Sequence, residues 1–253
     1  MPPEISFVDV LLILAVGLIA GTINAVAGGG SLLTMPTLIF LGLPPQVANA
    51  TVRLSVLLGG ISSTSGYISK GISPLPHGIW LGISATIGAV LGTQLAMAID
   101  PGDFKKILAG VMLVVVAITL FQPTRSQAEQ LLRIGTKHRI IATITFFFIG
   151  IYGGFIQAGI GFIILAALGG IHRFGLVQSN VIKTFVVVIY TIAAVFIFAR
   201  EGLVYWTYGL ILAAGDVTGS WLSSRYAVKK GDRWIKRFLV VAVCGMAIKL
   251  WFF

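Results

Sequence analysis

Three ionisable side chains stand inside long apolar stretches of the chain: Arg53, Lys183 and Asp216. A charge at such a position costs at least ~2.5 kcal/mol on membrane-insertion scales, so each calls for a partner or a polar cavity. Arg53 and Lys183 each lie about seven residues into an apolar segment, roughly 10 Å deep at helical rise. A guanidinium there can hold an oxyanion through paired donors; the bland alternative is that both cations snorkel to the nearer surface. Asp216, in Leu212-Ala-Ala-Gly-Asp-Val-Thr-Gly219, is the only acid near the middle of an apolar crossing. It is read either as the carrier of a coupling proton or ion, or as a neutralising partner for Lys183 or Arg53.

Two glycine-rich breaks complete the chemically suggestive set. The first is Asn24-Ala-Val-Ala-Gly28-Gly29-Gly30-Ser31, followed by Pro36; the second is Gln157-Ala158-Gly159-Ile160-Gly161. Glycines permit positive φ and close approach to the backbone. A helix starting at about Ser31 presents free N–H groups and the positive end of its dipole, which suits a small anion. The competing reading is that these glycines serve only tight helix packing. Asn49, Thr51 and Asn180 either line a path or cap helix starts, and Gln94 and Gln157 either bind substrate or link helices. His77, His138 and His172 fall at segment ends without metal-ligand spacing and read as solvated loop residues. No metal site or cofactor is expected. No G-x-S-x-G elbow or P-loop is present, so neither a serine-hydrolase nor an ATP-driven motor is indicated.

The elements that must position these residues are set by composition. The 253 residues are 57% hydrophobic and 10% charged, with a mean hydropathy of +0.99, well outside the range of soluble domains. Apolar blocks recur at 6–27, 30–42, 46–69, 77–97, 104–121, 139–158, 160–172, 176–199, 203–224 and 234–252, most long enough to span a bilayer. The formal charge of +10 sits mainly in short loops, which points to orientation in a membrane and not to nucleic acid. Cys244 is the sole cysteine, which excludes an internal disulfide. The first segment lacks a basic n-region and is expected to be a permanent membrane element.

The order of blocks repeats on either side of the central linker: a long segment, a glycine break, a 13-residue piece, then three full-length helices. An offset of 131 brings Gly28 onto Gly159, Gly30 onto Gly161 and Asn49 onto Asn180, and an offset of 127 brings Gly88 and Gly92 onto Gly215 and Gly219. The expected fold is therefore an all-α polytopic membrane protein of two inverted repeats, 1–121 and 139–253, joined by a basic cytoplasmic linker at 122–138. Each repeat holds a broken, re-entrant hairpin plus three transmembrane helices. With re-entrant hairpins, Lys70, Arg125, Arg133, Lys137, Arg139, Arg173 and the cluster from Arg225 to Arg237 share one face, as the positive-inside rule prefers. Lys105, Lys106, Arg200 and Lys249 occupy the other, and both termini lie outside the cytoplasm. Inverted repeats with interrupted helices are a plan of secondary transporters.

The run Asn24-x-x-x-Gly28-Gly29-Gly30 with Pro36, Gly42-Leu43-Pro44 and Ala48-Asn49-Ala50-Thr51, with its echo at Gly159-x-Gly161, resembles the TauE/SafE family of sulfite and organosulfonate exporters. The resemblance covers essentially the whole chain, although Phe155 stands where the offset places Asn24 and no proline answers Pro36. It implies a secondary transporter in the inner or plasma membrane, exporting sulfite, a sulfonate or a similar small anion by alternating access. The implied substrate site is bounded by Asn24 to Ser31, Asn49 to Arg53, Gln157 to Gly161 and Asn180 to Lys183. The expected partners are this anion, the lipid bilayer and protons if Asp216 carries them, with oligomeric state left open. An uncoupled anion channel is the alternative, and a membrane-embedded enzyme a weaker one.

Overall fold

A computed structural model describes residues 5–121, 132–133 and 135–226. The apolar segment expected at 234–252, most of the linker, the basic residues Arg125 and Lys229 to Arg237, Lys249 and Cys244 lie outside them. The described residues form α-helices and no strand: α1 (Phe7–Val26), α2 (Ser31–Phe40), α3 (Pro45–Ile68), α4 (His77–Ala98), α5 (Pro101–Phe121), α6 (Thr136–Phe155), α7 (Ile160–Ile171), α8 (Leu176–Arg200) and α9 (Trp206–Tyr226). Each begins and ends within about four residues of its apolar block.

Local chemistry explains several boundaries. Ser6 caps α1 in a reciprocal box, its hydroxyl accepting from the Asp9 N–H while the Asp9 carboxylate accepts from the Ser6 N–H. Pro45 opens α3, where a missing N–H costs nothing. α1 stops at Gly28, whose φ of +85° no helix tolerates, and α6 stops where Gln157 and Gly159 adopt φ of +62° and +67°. At 10 and 12 residues, α2 and α7 reach only about 15–18 Å, too short to cross a hydrocarbon core of roughly 30 Å.

The exterior is that of a membrane protein. α4 exposes Ile79, Ile83, Ile87, Leu91 and Leu95 along one stripe, and α6 exposes Ile140, Ile144 and Phe148. Patches of this size in water would be sites of association; in a bilayer they face lipid. Among the described residues, four helices (α1, α4, α6 and α8) are long and apolar enough to cross a membrane. α3 turns its polar residues inward, with Asn49, Thr51, Arg53, Ser55, Ser63 and Thr64 all buried.

The two halves interlock instead of lying side by side. α1 packs most extensively on α9, and α6 on α4, while α3 and α8 meet at the centre and pack on α9 and α4 respectively. Both outer crossings use the same device, glycine against carbonyl. A Cβ on Gly88 or Gly92 of α4 would fall 2.0 Å from the Phe147 oxygen or 1.9 Å from the Ile151 oxygen of α6. One on Gly215 or Gly219 of α9 would fall 2.2 Å from the Leu14 oxygen or 2.1 Å from the Leu18 oxygen of α1. These are the four glycines that the 127-residue offset relates.

Candidate functional site

The glycine breaks meet at the centre of the molecule. The Gly161 N–H donates to the Gly28 carbonyl at 3.1 Å, and a Cβ on Gly161 would lie 2.2 Å from the Gly28 Cα. Only two glycines can cross so closely. Ser31 stitches the tips together: its hydroxyl donates to the Gln157 carbonyl at 3.2 Å and accepts from the Gly159 N–H at 3.1 Å. Asn24 Oδ1 accepts from the Gly30 N–H at 2.8 Å, closing the first break on itself. Much of the backbone donor capacity that the breaks promised is therefore used internally.

A cavity of about 40 Å³ opens beside this crossing, room for roughly three water molecules. Of the residues expected at the site, Asn24, Gly28, Ser31, Gln157, Gly161 and Lys183 line it. Gln157 is the most informative. It is 2% exposed, it holds a strained backbone conformation (φ +62°), and neither atom of its side-chain amide has a protein partner. Buried polar atoms are rarely left so, and strain of this kind concentrates at functional positions.

Lys183 brings a positive charge to the same wall. Its ammonium donates to the Asn24 carbonyl at 2.8 Å, the Ala25 carbonyl at 3.3 Å and Asn180 Oδ1 at 2.7 Å. It thereby caps the end of α1, where carbonyls lack intrahelical donors and the dipole favours a cation. The Tyr67 hydroxyl adds a donor to the Ala25 carbonyl at 3.0 Å.

Arg53 occupies the mirrored role and not the cavity wall. It is fully buried and donates to the Gly153 carbonyl at 2.8 Å and the Gly154 carbonyl at 2.6 Å, closing the end of α6. Its guanidinium lies 5.0 Å from the Phe198 ring centroid and makes a longer contact, 3.4 Å, with Asn49 Oδ1. Asn49 itself donates to the Phe155 carbonyl at 2.9 Å. Each half thus supplies a cation that finishes the first helix of the other half, joined at α6 by Asn49 itself and at α1 by Asn180 only through Lys183. Neither cation snorkels outward. Thr51 accepts from the Tyr205 N–H at 3.0 Å and anchors the loop into α9. Gly29, Gly30, Gly159 and Asn180 are buried at the tips or behind Lys183, and Gln94 is exposed on the outer face of α4.

Asp216 lies one shell further in. Its carboxylate oxygens are 2.8 Å from the Ser55 hydroxyl and 2.9 Å from the Ser220 hydroxyl, with the Asn24 side chain as a third hydrogen-bonding neighbour. Ser220 also lines the cavity.

Ser63, Thr184 and Ser220 are cavity residues that sequence reasoning missed. Thr184 follows Lys183 directly, and Ser220 lies one turn from Asp216 on the same helical face, so their spacing carried a usable signal. One histidine differs from expectation as well, while His77 and His138 keep partial exposure. His172 is 1% exposed, stacked on Phe174 at 5.2 Å and edge-on to His77 at 5.8 Å. The aromatic cluster at the start of α4 covers it, so it is not a solvated loop residue. No group of three or more metal-ligating side chains occurs among the described residues.

Glycine-crossed helices, apolar outer faces and two short helices whose tips meet beside an internal cavity define an α-helical membrane protein. The chain belongs to the Sulfite exporter TauE/SafE family, matched over residues 13–250. It is similar to the probable membrane transporter protein ORF9 of Sinorhizobium sp (29% identical, covering 98% of this chain and 94% of that one). A probable membrane transporter protein of Haemophilus influenzae is 29% identical over 96% of this chain and 95% of its own length. The probable membrane transporter protein YfcA of Escherichia coli K12 is 27% identical, covering 93% and 87%. No solved structure matches the chain significantly.

Proposed function

We propose that the chain is a secondary transporter that moves a small sulfur-containing anion, sulfite or a sulfonate, out of the cell by alternating access. The observation that carries this reading is the Gln157 amide, buried and unpartnered on the wall of a cavity that Lys183 also borders. The amide offers donors to an oxyanion and the ammonium offers charge, while apolar walls from Val56, Ile160 and Val187 keep water from competing. The cavity volume suits a few heavy atoms. Arg53, with both terminal nitrogens donating to α6 carbonyls and only its buried Nε without a partner, holds the site in shape and does not touch the anion.

Alternating access needs two bodies that can rock about a fixed site, and on this reading the two halves are those bodies. The paired crossings α1 on α9 and α6 on α4, related by the same glycine offset, support two inverted repeats meeting at the cavity. On this reading the loops bearing Lys70, Arg133 and Arg173 face the cytoplasm of a cell whose inner or plasma membrane holds the protein, and both termini lie outside the cytoplasm.

The test is labelled sulfite flux in proteoliposomes, with protein-free vesicles as the blank. Wild type is expected to exchange internal for external sulfite faster than it releases sulfite into anion-free buffer. Equal rates would mean an anion channel, and absence of flux for sulfite and sulfonates would overturn the reading. Gln157→Leu is expected to weaken sulfite half-saturation by about tenfold, the loss of one charge-assisted hydrogen bond. It should leave thermal stability equal or higher, because a buried amide without partners has been removed.

A further inference from the structure

The carboxyl of Asp216 sits in an unusual enclosure. It is 1% exposed, and α1 and α3 press glycines against it: a Cβ on Gly59 would lie 2.1 Å from Oδ1 and one on Gly21 would lie 2.7 Å from the same atom. Its hydrogen-bonding neighbours are two hydroxyls and an amide, none of them a cation. No group of three or more metal-ligating side chains gathers at Asp216 among the described residues, and its hydroxyl neighbours bond to the carboxyl directly. A proton needs no more room than that.

The hydrogen count at Ser220 points the same way. Its oxygen lies 2.9 Å from Asp216 Oδ1 and 3.1 Å from the Gly21 carbonyl. A hydroxyl has one hydrogen to give. With Asp216 ionised, Ser220 faces two acceptors and serves one of them. With Asp216 protonated, the acid donates to Ser220 and Ser220 donates to Gly21, so every contact is made.

The charged groups on the surrounding helices are otherwise engaged. From α1 the facing residues are Gly21 and Asn24, and from α3 Ser55 and Gly59, while Arg53 on α3 points to the α6 carbonyls. From α8, the Lys183 ammonium is held by the Asn24 and Ala25 carbonyls and by Asn180, so Asn24 stands between it and Asp216. Ser220 and Asn24 belong both to the cavity wall and to the Asp216 enclosure. An anion in the cavity and a carboxylate behind Ser220 would repel each other across a low-dielectric gap.

We infer that Asp216 is a proton-binding site coupled to the anion cavity through Ser220 and Asn24, so that one proton is taken up with each anion and travels with it. This rests on the transport reading above. The proton enters from the side on which the anion binds, converts the carboxylate to the acid, and leaves with the anion on the other side.

The experiment compares wild type with Asp216→Asn in proteoliposomes loaded with labelled sulfite. The first arm measures exchange at equal pH, the second efflux with the interior one unit more acidic, and the third efflux under a sodium gradient. Sulfite's own titration is identical for both proteins, so their difference reads the carboxyl. Wild type is expected to respond to the acid interior with several-fold faster efflux and to ignore sodium. Asp216→Asn is expected to lose the acid response, its efflux differing less than about twofold between equal pH and the acid interior. An acid response surviving in Asp216→Asn, or drive by sodium in wild type, would overturn the proposal. Absence of exchange in wild type would overturn the transport reading beneath it.

Ser55→Ala provides a second variant that keeps the acid and removes one donor outside the cavity. The pH of half-maximal efflux is expected to rise by about one unit, the loss of one hydrogen bond to a carboxylate. An unmoved profile would count against the assignment even if Asp216→Asn failed to fold.

Discussion

Arg53→Ala would leave the Gly153 and Gly154 carbonyls at the end of α6 without their donors, and would open a hole beside Phe198. Hydrogen bonds to charged groups contribute about 1.5–3 kcal/mol each, and a buried acceptor left unmade costs its desolvation as well. We expect the variant to lose on the order of 3 kcal/mol of stability, read as a lower unfolding midpoint by intrinsic fluorescence in detergent. Arg53→Lys should recover part of it, because one ammonium can reach one carbonyl but cannot fork across two. Any Arg53→Lys protein that remains folded should keep the wild-type half-saturation for sulfite; a large shift would place Arg53 on the anion after all. The sequence pointed to both cations and to their similar depth. It could not tell which would border the cavity, because that depends on which carbonyls of the other half come within reach. Thr184 beside Lys183 and Ser220 one turn from Asp216 were open to reading from their spacing, whereas Ser63 was hidden: a lone serine in a membrane helix leaves no periodic mark that separates cavity wall from helix contact.

Among the elements, the decisive feature is the crossing of the two breaks. Gly161→Ala would place a methyl 2.2 Å from the Gly28 Cα, where neither backbone can yield without parting the Ser31 bridges. We expect transport to fall to the blank and the unfolding midpoint to drop. Gly170→Ala on the same short helix meets nothing within 4 Å, and should be neutral or stabilising by up to about 1 kcal/mol, the ordinary gain of alanine over glycine in a helix. Equal behaviour of the two variants would contradict the crossing. The helices themselves were largely legible in the sequence, since apolar length and glycine punctuation located all nine described helices. The shortness of α2 and α7 was also legible. What the breaks do with their N–H groups was not. Gly30 spends its own on Asn24, six residues away, while Gly159 and Gly161 spend theirs on Ser31 and Gly28 of the other half, and pairings over such a distance have no local signature.

At the scale of the whole molecule, the proposed arrangement makes a claim about sidedness. With Cys244 replaced by serine, a single cysteine at Lys70 or Arg173 should react with an impermeant maleimide only when the cytoplasmic face is open. One at Asp103 or Glu201 should react in intact cells. Lys70 and Glu201 reacting from the same side would exclude the re-entrant arrangement on which the two inverted halves depend. The linking of the halves needs no such test, because α1 is covered by α9 and α6 by α4.

Those swapped helix ends also set a timetable for synthesis. Lys183 lies 159 residues beyond Asn24, the carbonyl it closes, and Gly153 lies 100 residues beyond Arg53. At roughly 5–20 residues per second, α1 is made about 8–30 s before its ammonium leaves the ribosome. During that interval the nascent chain holds an unfinished helix end and an uncrossed glycine tip in the bilayer. Assembly of the first half therefore cannot be completed as it is inserted, and the chain has to be kept from the wrong neighbours until α8 arrives.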